Sequence, residues 1–225
     1  MKIEAATDTT AERRSPLTRQ RVLVAAVEVA DRDGIEALSM RRLGQELGVE
    51  AMSLYTHVRN KEDLLDGMAD VVIGQIPIRR TKGDWKSELR RLVLDARGVL
   101  KRHPWAPAII ETREDPGPAG LRHFDRVMGI LREGGLSLGL THHALHLLGS
   151  RLFGFTQDLF DDSAAPDPAA VAALAAQIGA THPYVAEMAL ATTHEGGLGG
   201  CDTDVEFVFA LDVMLDGLER LRDAG

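Results

Sequence analysis

The stretch GVEAMSLYTHVRNKEDLL, residues 48–65, puts Tyr55, His57 and Lys61 close together directly after a glycine. A phenol and an ammonium on long stems suit phosphate oxygens, contacts that fix register on a nucleic-acid duplex without reading its sequence. The neighbours are short or unbranched: Ala51, Met52, Ser53 and Thr56. Small side chains let a helix approach a groove floor. Ser53 and Thr56 can bond base edges or phosphates, and Met52 or the Thr56 methyl can meet a thymine methyl. None of these positions carries the Glu or Lys of an ordinary solvent-facing helix. Ser39 and Arg41, at the start of the preceding segment, are placed to meet the backbone on the other side.

These residues need elements to hold them. Thr18 is a good N-cap for a first helix, with Leu17 and Val22 spaced as a hydrophobic staple, and Gly34 ends it. Its apolar face is Val22, Ala25, Ala26, Val29 and Ala30. Ser39 caps a second, short helix that Gly48 breaks. A third short helix is expected from about Glu50 to His57, anchored by Leu54 with Val58 one turn on. Helices this short are not stable alone, so Leu43, Leu47, Leu54 and Val58 must pack on the first. Asn60 caps a fourth helix, with Glu62 and Asp63 in its positive first turn, running to about Ile76, where Pro77 stops it. Helix, tight turn, helix over 39–58 is the helix-turn-helix arrangement, whose second helix lies in the major groove. The same local pattern also occurs in plain helical bundles.

Charge is distributed to match. The chain carries a net −8, which argues against a protein that coats nucleic acid over its whole surface. Residues 13–61 nevertheless hold nine Lys/Arg against six acids, a local +3. A basic face on an acidic body steers one surface toward a polyanion.

The remainder reads as longer helices, so the expected fold class is all-α: an N-terminal three-helix helix-turn-helix domain and a larger helical domain. The expected divisions are a flexible arm at 1–17, the helix-turn-helix domain at 18–64 and the larger domain at 65–225. Expected helices begin at Asp84 (to about Arg102), at 104–112, at 116–133 (ended by Gly134-Gly135) and at 141–161, followed by 167–179, 183–193 and a last one from Thr203 to about Arg222. That last helix is apolar on most of its circumference, so it must be covered on more than one side. It and the 141–161 helix could pair with their copies as a four-helix bundle about a two-fold axis.

Large apolar residues fall on several of these helices. Trp85, Trp105, Ile109, Phe124, Met128 and Phe153 are candidates to line a cavity, with Arg113, His146 and Gln157 as its polar groups. Ordinary core is the competing reading for each. His142, His143 and His146 have metal-like spacing, but no carboxylate or cysteine joins them within a turn, and zinc takes three or four ligands. No metal or cofactor is expected. Cys201 lacks a basic neighbour to activate it, and a single cysteine excludes an internal disulfide and fits a reducing cytoplasm.

The segment TRQRVLVAAVEVADRDGIEALSMRRLGQELGVEAMSLYTHVRNKEDLLDGM resembles the DNA-binding domain of the tetracycline-repressor (TetR) family, with Leu-Tyr-x-His-Val and Asn-Lys at the family's offsets. EGGLSLGLTHHALHLLGSRLFGFTQDLF is similar, more weakly, to that family's regulatory domain. The resemblance implies that Tyr55, His57 and Lys61 contact phosphate or base, that Met52 and Ser53 lie in the base-reading turn, and that Arg41 makes the preceding helix's contact. Glu50 replaces the family's frequent Ser or Thr cap, and Thr56 replaces a large aromatic of the tetracycline repressors. Those repressors also place a metal-binding histidine in the stretch matching 109–113, which here is IIETR, and another contact histidine where this chain has Ile76-Pro77. A magnesium–tetracycline ligand is therefore not expected.

The resemblance implies a larger ligand-binding and dimerisation domain, and with it a ligand-responsive repressor that binds a palindromic double-stranded DNA operator as a homodimer, is released by a largely apolar small-molecule effector, and touches no membrane. No nucleophile elbow, P-loop or dinucleotide glycine pattern appears, so no enzyme is expected. The alternatives are a helical protein-binding adaptor without DNA binding and, last, an enzyme whose basic face is incidental.

Overall fold

The computed structural model describes residues 16–79, 83–153, 168–192 and 203–225, and among them every regular element is helical. The all-α expectation is met. Most of the expected N-terminal arm, residues 1–15, and Cys201 lie outside the described residues. The chain divides into two compact units, Met1–Gln75 with Val99–Gly120, and Ile76–Gly98 with Leu121–Gly225.

The first unit begins with α1 (Arg19–Asp33) and a single 3-10 turn, followed by α2 (Met40–Leu47), α3 (Ala51–Leu54) and α4 (Lys61–Ile73). It also takes the end of α5 (Trp85–Arg102), α6 (Ala106–Thr112) and the first turn of α7 (Gly117–Glu133). Three N-caps read from sequence are in place. The Thr18 hydroxyl accepts from Arg21 N–H, Ser39 from Arg42 N–H and the Asn60 side-chain oxygen from Asp63 N–H. Each satisfies an orphan donor, worth about 1 kcal/mol. Val22, Ala26, Val29, Leu43, Leu54, Val58, Leu64, Met68 and Val72 are buried and form the core on which α1, α2 and α4 pack. Full burial of one such large side chain contributes roughly 1.5–3 kcal/mol. Leu47, expected to point inward with Leu43, is only half-buried.

The third and fourth helices are shorter than their sequence suggests. The third spans Ala51–Leu54, not 50–57, because Glu50 makes no side-chain capping bond and the chain turns from Tyr55 to His57. The Thr56 hydroxyl donates to the Ser53 carbonyl at 2.7 Å, closing that turn. The fourth ends at Ile73, short of Ile76.

The second unit holds the start of α5, the rest of α7, α8 (Leu138–Phe153), α9 (Pro168–Ile178), α10 (Pro183–Thr192) and α11 (Thr203–Asp223). The 154–161 part of the expected long helix lies outside the described residues. On α11, Phe207, Leu211, Leu215 and Leu218 are buried, and α8 packs against it. The charged flank of α5 is matched along α11: Lys86 pairs with Asp216 and Glu219, Arg90 with Asp212, and Arg97 with Asp204. Within this unit Glu88 and Arg126 form a buried ion pair joining α5 to α7. The covering of α11 is one-sided here: Val205, Phe209 and Val213 are 60%, 65% and 51% exposed.

Candidate nucleic-acid interface

The base of the interface is the α2–α3 pair. Gly48 has φ +66°, a left-handed conformation that side chains with a Cβ resist, and its N–H caps the end of α2. Gly44 is buried at the crossing. A Cβ there would lie 2.9 Å from the Val49 carbonyl and 3.2 Å from Ala51 N. Glycine therefore sets how closely α3 crosses α2. Sequence reasoning missed Gly44, although its place one turn before Gly48 was the available signal.

Around the buried Leu43, Leu54 and Val58, most of the residues expected to make contact lie at the surface. Met52 is 75% exposed and Tyr55 46%. Ser53, Thr56, Ser39, Arg41 and Lys61 are exposed, while Ala51 and His57 are half-buried. Met52 is the most open large apolar side chain on this short helix. The neighbouring basic residues are differently committed. Arg42 pairs with Asp33, Arg32 with Asp33 and Glu46, and Arg59 lies 3.7 Å from Asp63. Arg41 and Lys61 make no ion pair among the described residues, which leaves their charge to the surface.

The face is held from behind by Arg19. Its guanidinium donates to the His57 carbonyl at 2.7 Å and to both Asp63 carboxylate oxygens at 3.0 and 2.8 Å. Asp63 also accepts from the Arg59 N–H at 2.8 Å. The Arg19 hydrogen bond, with that backbone donor assisting, holds the Asp63 carboxyl down at about 2.

Within the same unit α4 is tied to α6 and α7. Asp70 accepts from the Ala119 N–H at 2.7 Å, and the Arg113 Nε lies 3.3 Å from Asp66 Oδ1. The Arg113 Nε and Nη1 are buried without a hydrogen-bond partner. Asp31, near the end of α1, accepts from the Trp105 indole N–H at 2.7 Å and lies 2.8 Å from His103 Nδ1. His103 Nε2 is 3.1 Å from Gln75 Oε1.

The predicted effector residues fall in both units. Trp105 is buried in the first, with half-buried Ile109 and with Arg113. In the second, Trp85 lies beneath the Arg222 guanidinium, 5.5 Å from its ring centre, Met128 is half-buried, and Phe124 and His146 are exposed. The Phe153 side chain and Gln157 lie outside the described residues.

A capped helix pair with an exposed third helix, in a chain that also holds a second helical unit, defines the helix-turn-helix class of protein. Residues 22–68 match the family described as bacterial regulatory proteins, tetR family, and residues 77–222 match the tetracyclin repressor-like C-terminal domain. The chain belongs to the TetR family. It is 39% identical over 120 residues to an HTH-type transcriptional regulator of Saccharopolyspora erythraea, covering 53% of this chain and 51% of that one. The chain thus spans about half the length of that curated relative (51%). It is 32% identical over 165 residues to the class D tetracycline repressor protein of Escherichia coli, covering 67% of this chain and 73% of that one. The crystal structure of apo ActR from Streptomyces coelicolor superposes with a TM-score of 0.73 at 26% identity, over 93% of this chain and 98% of ActR. ActR has also been solved in complex with actinorhodin. Among the described residues no helix is long and apolar enough to cross a membrane.

Proposed function

We propose that this chain is a transcriptional repressor that binds a palindromic double-stranded DNA operator as a homodimer and is released by a small-molecule effector. The observation that carries this reading is the exposed set Met52, Ser53, Tyr55 and Thr56 above a buried Leu43–Leu54–Val58 anchor. Each subunit presents that turn to one major groove. The two copies engage half-sites one helical turn apart, about 34–36 Å. The exposed outer residues of α11 and of α8 (Leu138, Leu147) supply the apolar faces for a four-helix bundle between copies.

Relatives support an effector of the regulatory unit: ActR is seen with actinorhodin, and the E. coli relative is a tetracycline repressor. For this chain a tetracycline chelate is disfavoured, because Ile109–Arg113 offers no histidine. The effector contacts carried forward are Trp85, Trp105, Ile109, Phe124, Met128 and Phe153, with Arg113, His146 and Gln157 as polar groups. Effector binding acts on α4 through the Asp66–Arg113 and Asp70–Ala119 contacts. Shifting the population from 1:99 to 99:1 requires about 10⁴-fold tighter binding to the released form. The protein works in the cytoplasm, and no catalysis is assigned to it.

The test is retardation of the DNA upstream of the protein's own gene, followed across salt concentration. Salt-sensitive, palindrome-specific binding by a dimer is expected. Binding only by a monomer, or none on any palindrome in that region, would overturn the proposal and favour a protein-binding adaptor.

A further inference from the structure

Arg113 follows the last residue of α6, and its side chain is only 6% exposed. Its Nε and Nη1 are buried and make no hydrogen bond. Asp66 of α4 lies 3.3 Å from Nε, close enough to offset the charge, but the contact lacks hydrogen-bond alignment. A buried donor left without an acceptor is costly, and native chains rarely keep one without a use for it.

The loop after α6 is shaped around this group. Gly117 has φ +71°, and a Cβ there would lie 2.6 Å from Arg113 Nη2 and 2.7 Å from Asp70 Oδ1. Glycine lets the guanidinium, the α4 carboxylate and the loop backbone meet this closely. Asp70 is itself committed to the Ala119 N–H at 2.7 Å. Ile109 is half-buried and stands four residues before Arg113, so it sets an apolar surface on the same side of α6.

Charge decides which acceptor suits the free donors. Asp66 already opposes the guanidinium, Asp70 borders it at Gly117, and Glu111, Glu114 and Asp115 flank it in sequence. An anion brought to Arg113 meets these carboxylates at short range and is repelled. An uncharged carbonyl oxygen supplies the lone pairs without that repulsion.

We propose that Arg113 donates to the uncharged carbonyl oxygen of an apolar, ketone-bearing effector. This rests on the reading of the chain as an effector-released repressor and names the chemistry of its ligand. An oxygen that takes Nε draws the guanidinium from Asp66 and so acts on α4, the helix that begins at Lys61 beside the contact turn.

Binding is measured by equilibrium dialysis of the full-length protein without DNA, using three probes on one ring frame: 9-fluorenone, its hydrocarbon fluorene and the anion fluorene-9-carboxylate. Fluorenone is expected to bind about tenfold or more tightly than either of the others, as a hydrogen bond from a charged donor provides. Arg113→Met should bring fluorenone to the level of fluorene. Without any probe, Arg113→Met should melt no lower than the wild type, because the exposed Asp66 recovers water and the deleted Nε and Nη1 hold no hydrogen-bond partner. Fluorenone that does not bind, or binds no better than fluorene, overturns the assignment. So do tighter binding of the carboxylate and a ketone preference that survives in Arg113→Met. An Arg113→Met protein melting well below the wild type assigns the guanidinium to holding α6 on α4, and overturns it too. Operator retardation is scored separately: failure on every palindrome strikes the repressor reading, whereas operator binding without a ketone preference strikes this inference alone.

Discussion

Arg19 and Asp63, forty-four residues apart in sequence, face each other at 2.8 Å and join the first turn of α1 to the first turn of α4. The same guanidinium holds the His57 carbonyl at the end of the turn that follows α3. One side chain thereby ties the turn that follows α3 to both flanking helices. Because Asp63 is only 12% exposed, water is a poor substitute for its partner.

Asp63→Asn should therefore lower stability by about 1 kcal/mol at neutral pH, as loss of a charge-assisted hydrogen bond on a partly exposed pair does. The native carboxyl titrates at about 2, below its ordinary 3.8. The unfolded chain takes up the proton first as pH falls, so the contribution is fully present above about 4 and disappears as pH drops through 2. Denaturant midpoints measured for wild type and variant should converge over that interval. Parallel curves from pH 7 to pH 2 would remove the pair from the stability account.

Gly44→Ala and Gly48→Ala should both damage the α2–α3 pair, for different reasons. At Gly44 the new Cβ meets backbone at 2.9 Å, an overpacking that costs about 1–3 kcal/mol and displaces α3. At Gly48 the strain is in φ, about 1–2 kcal/mol, with the contact residues left in place. Gly44→Ala is thus expected to lose more DNA affinity per unit of lost stability. Thermal melts paired with binding isotherms decide it, and equal ratios would contradict the distinction.

The local grammar of this chain is legible in its sequence. Thr18, Ser39 and Asn60 cap the helices that their types and spacing assign to them, and Gly34 and Gly48 end them. Backbone groups at helix ends are satisfied within a few residues, so the relevant partners lie side by side along the chain. The length of α3 is not legible in the same way. Thr56 and His57 have helical neighbours at the right spacing, while the deciding bond, Thr56 to Ser53, closes a turn instead. Pairings across long separations leave no local signal. Nothing in the sequence singles out Asp63 for Arg19, or Arg126 for Glu88, among the many charges present. Trp105 shows its apolar bulk in the sequence, but not the engagement of its indole N–H by Asp31.

That bond gives a further test. Trp105→Phe keeps most of the buried ring volume and deletes the donor, so it should cost about 1 kcal/mol, with the partly exposed Asp31 recovering water. Trp105→Ala should cost about 3–5 kcal/mol through the cavity it leaves. For a chain of this size the first corresponds to a fall of about 2–4 °C in Tm. A Phe variant that melts with the wild type would mean the ring alone supports the α1–α6 contact.

The contact face should separate into two kinds of residue. Lys61 carries a charge with no ion pair among the described residues, and Tyr55 a phenol, both suited to phosphate. Lys61→Ala and Tyr55→Ala should weaken binding to operator and to random duplex alike, and Lys61→Ala should lower the slope of log K against log salt by up to about one. Met52 and Ser53 occupy the short helix itself, where the reach is to base edges. Their substitution should change which base is preferred at one position of each half-site, worth about 1–3 kcal/mol of discrimination, while leaving the salt slope intact. Affinities for a set of single-base operator variants at two salt concentrations distinguish the classes. A Lys61→Ala protein with an unaltered slope, or a Met52→Ala and Ser53→Ala pair with the wild-type preference profile, would mean that α3 approaches the duplex through some other part of its surface.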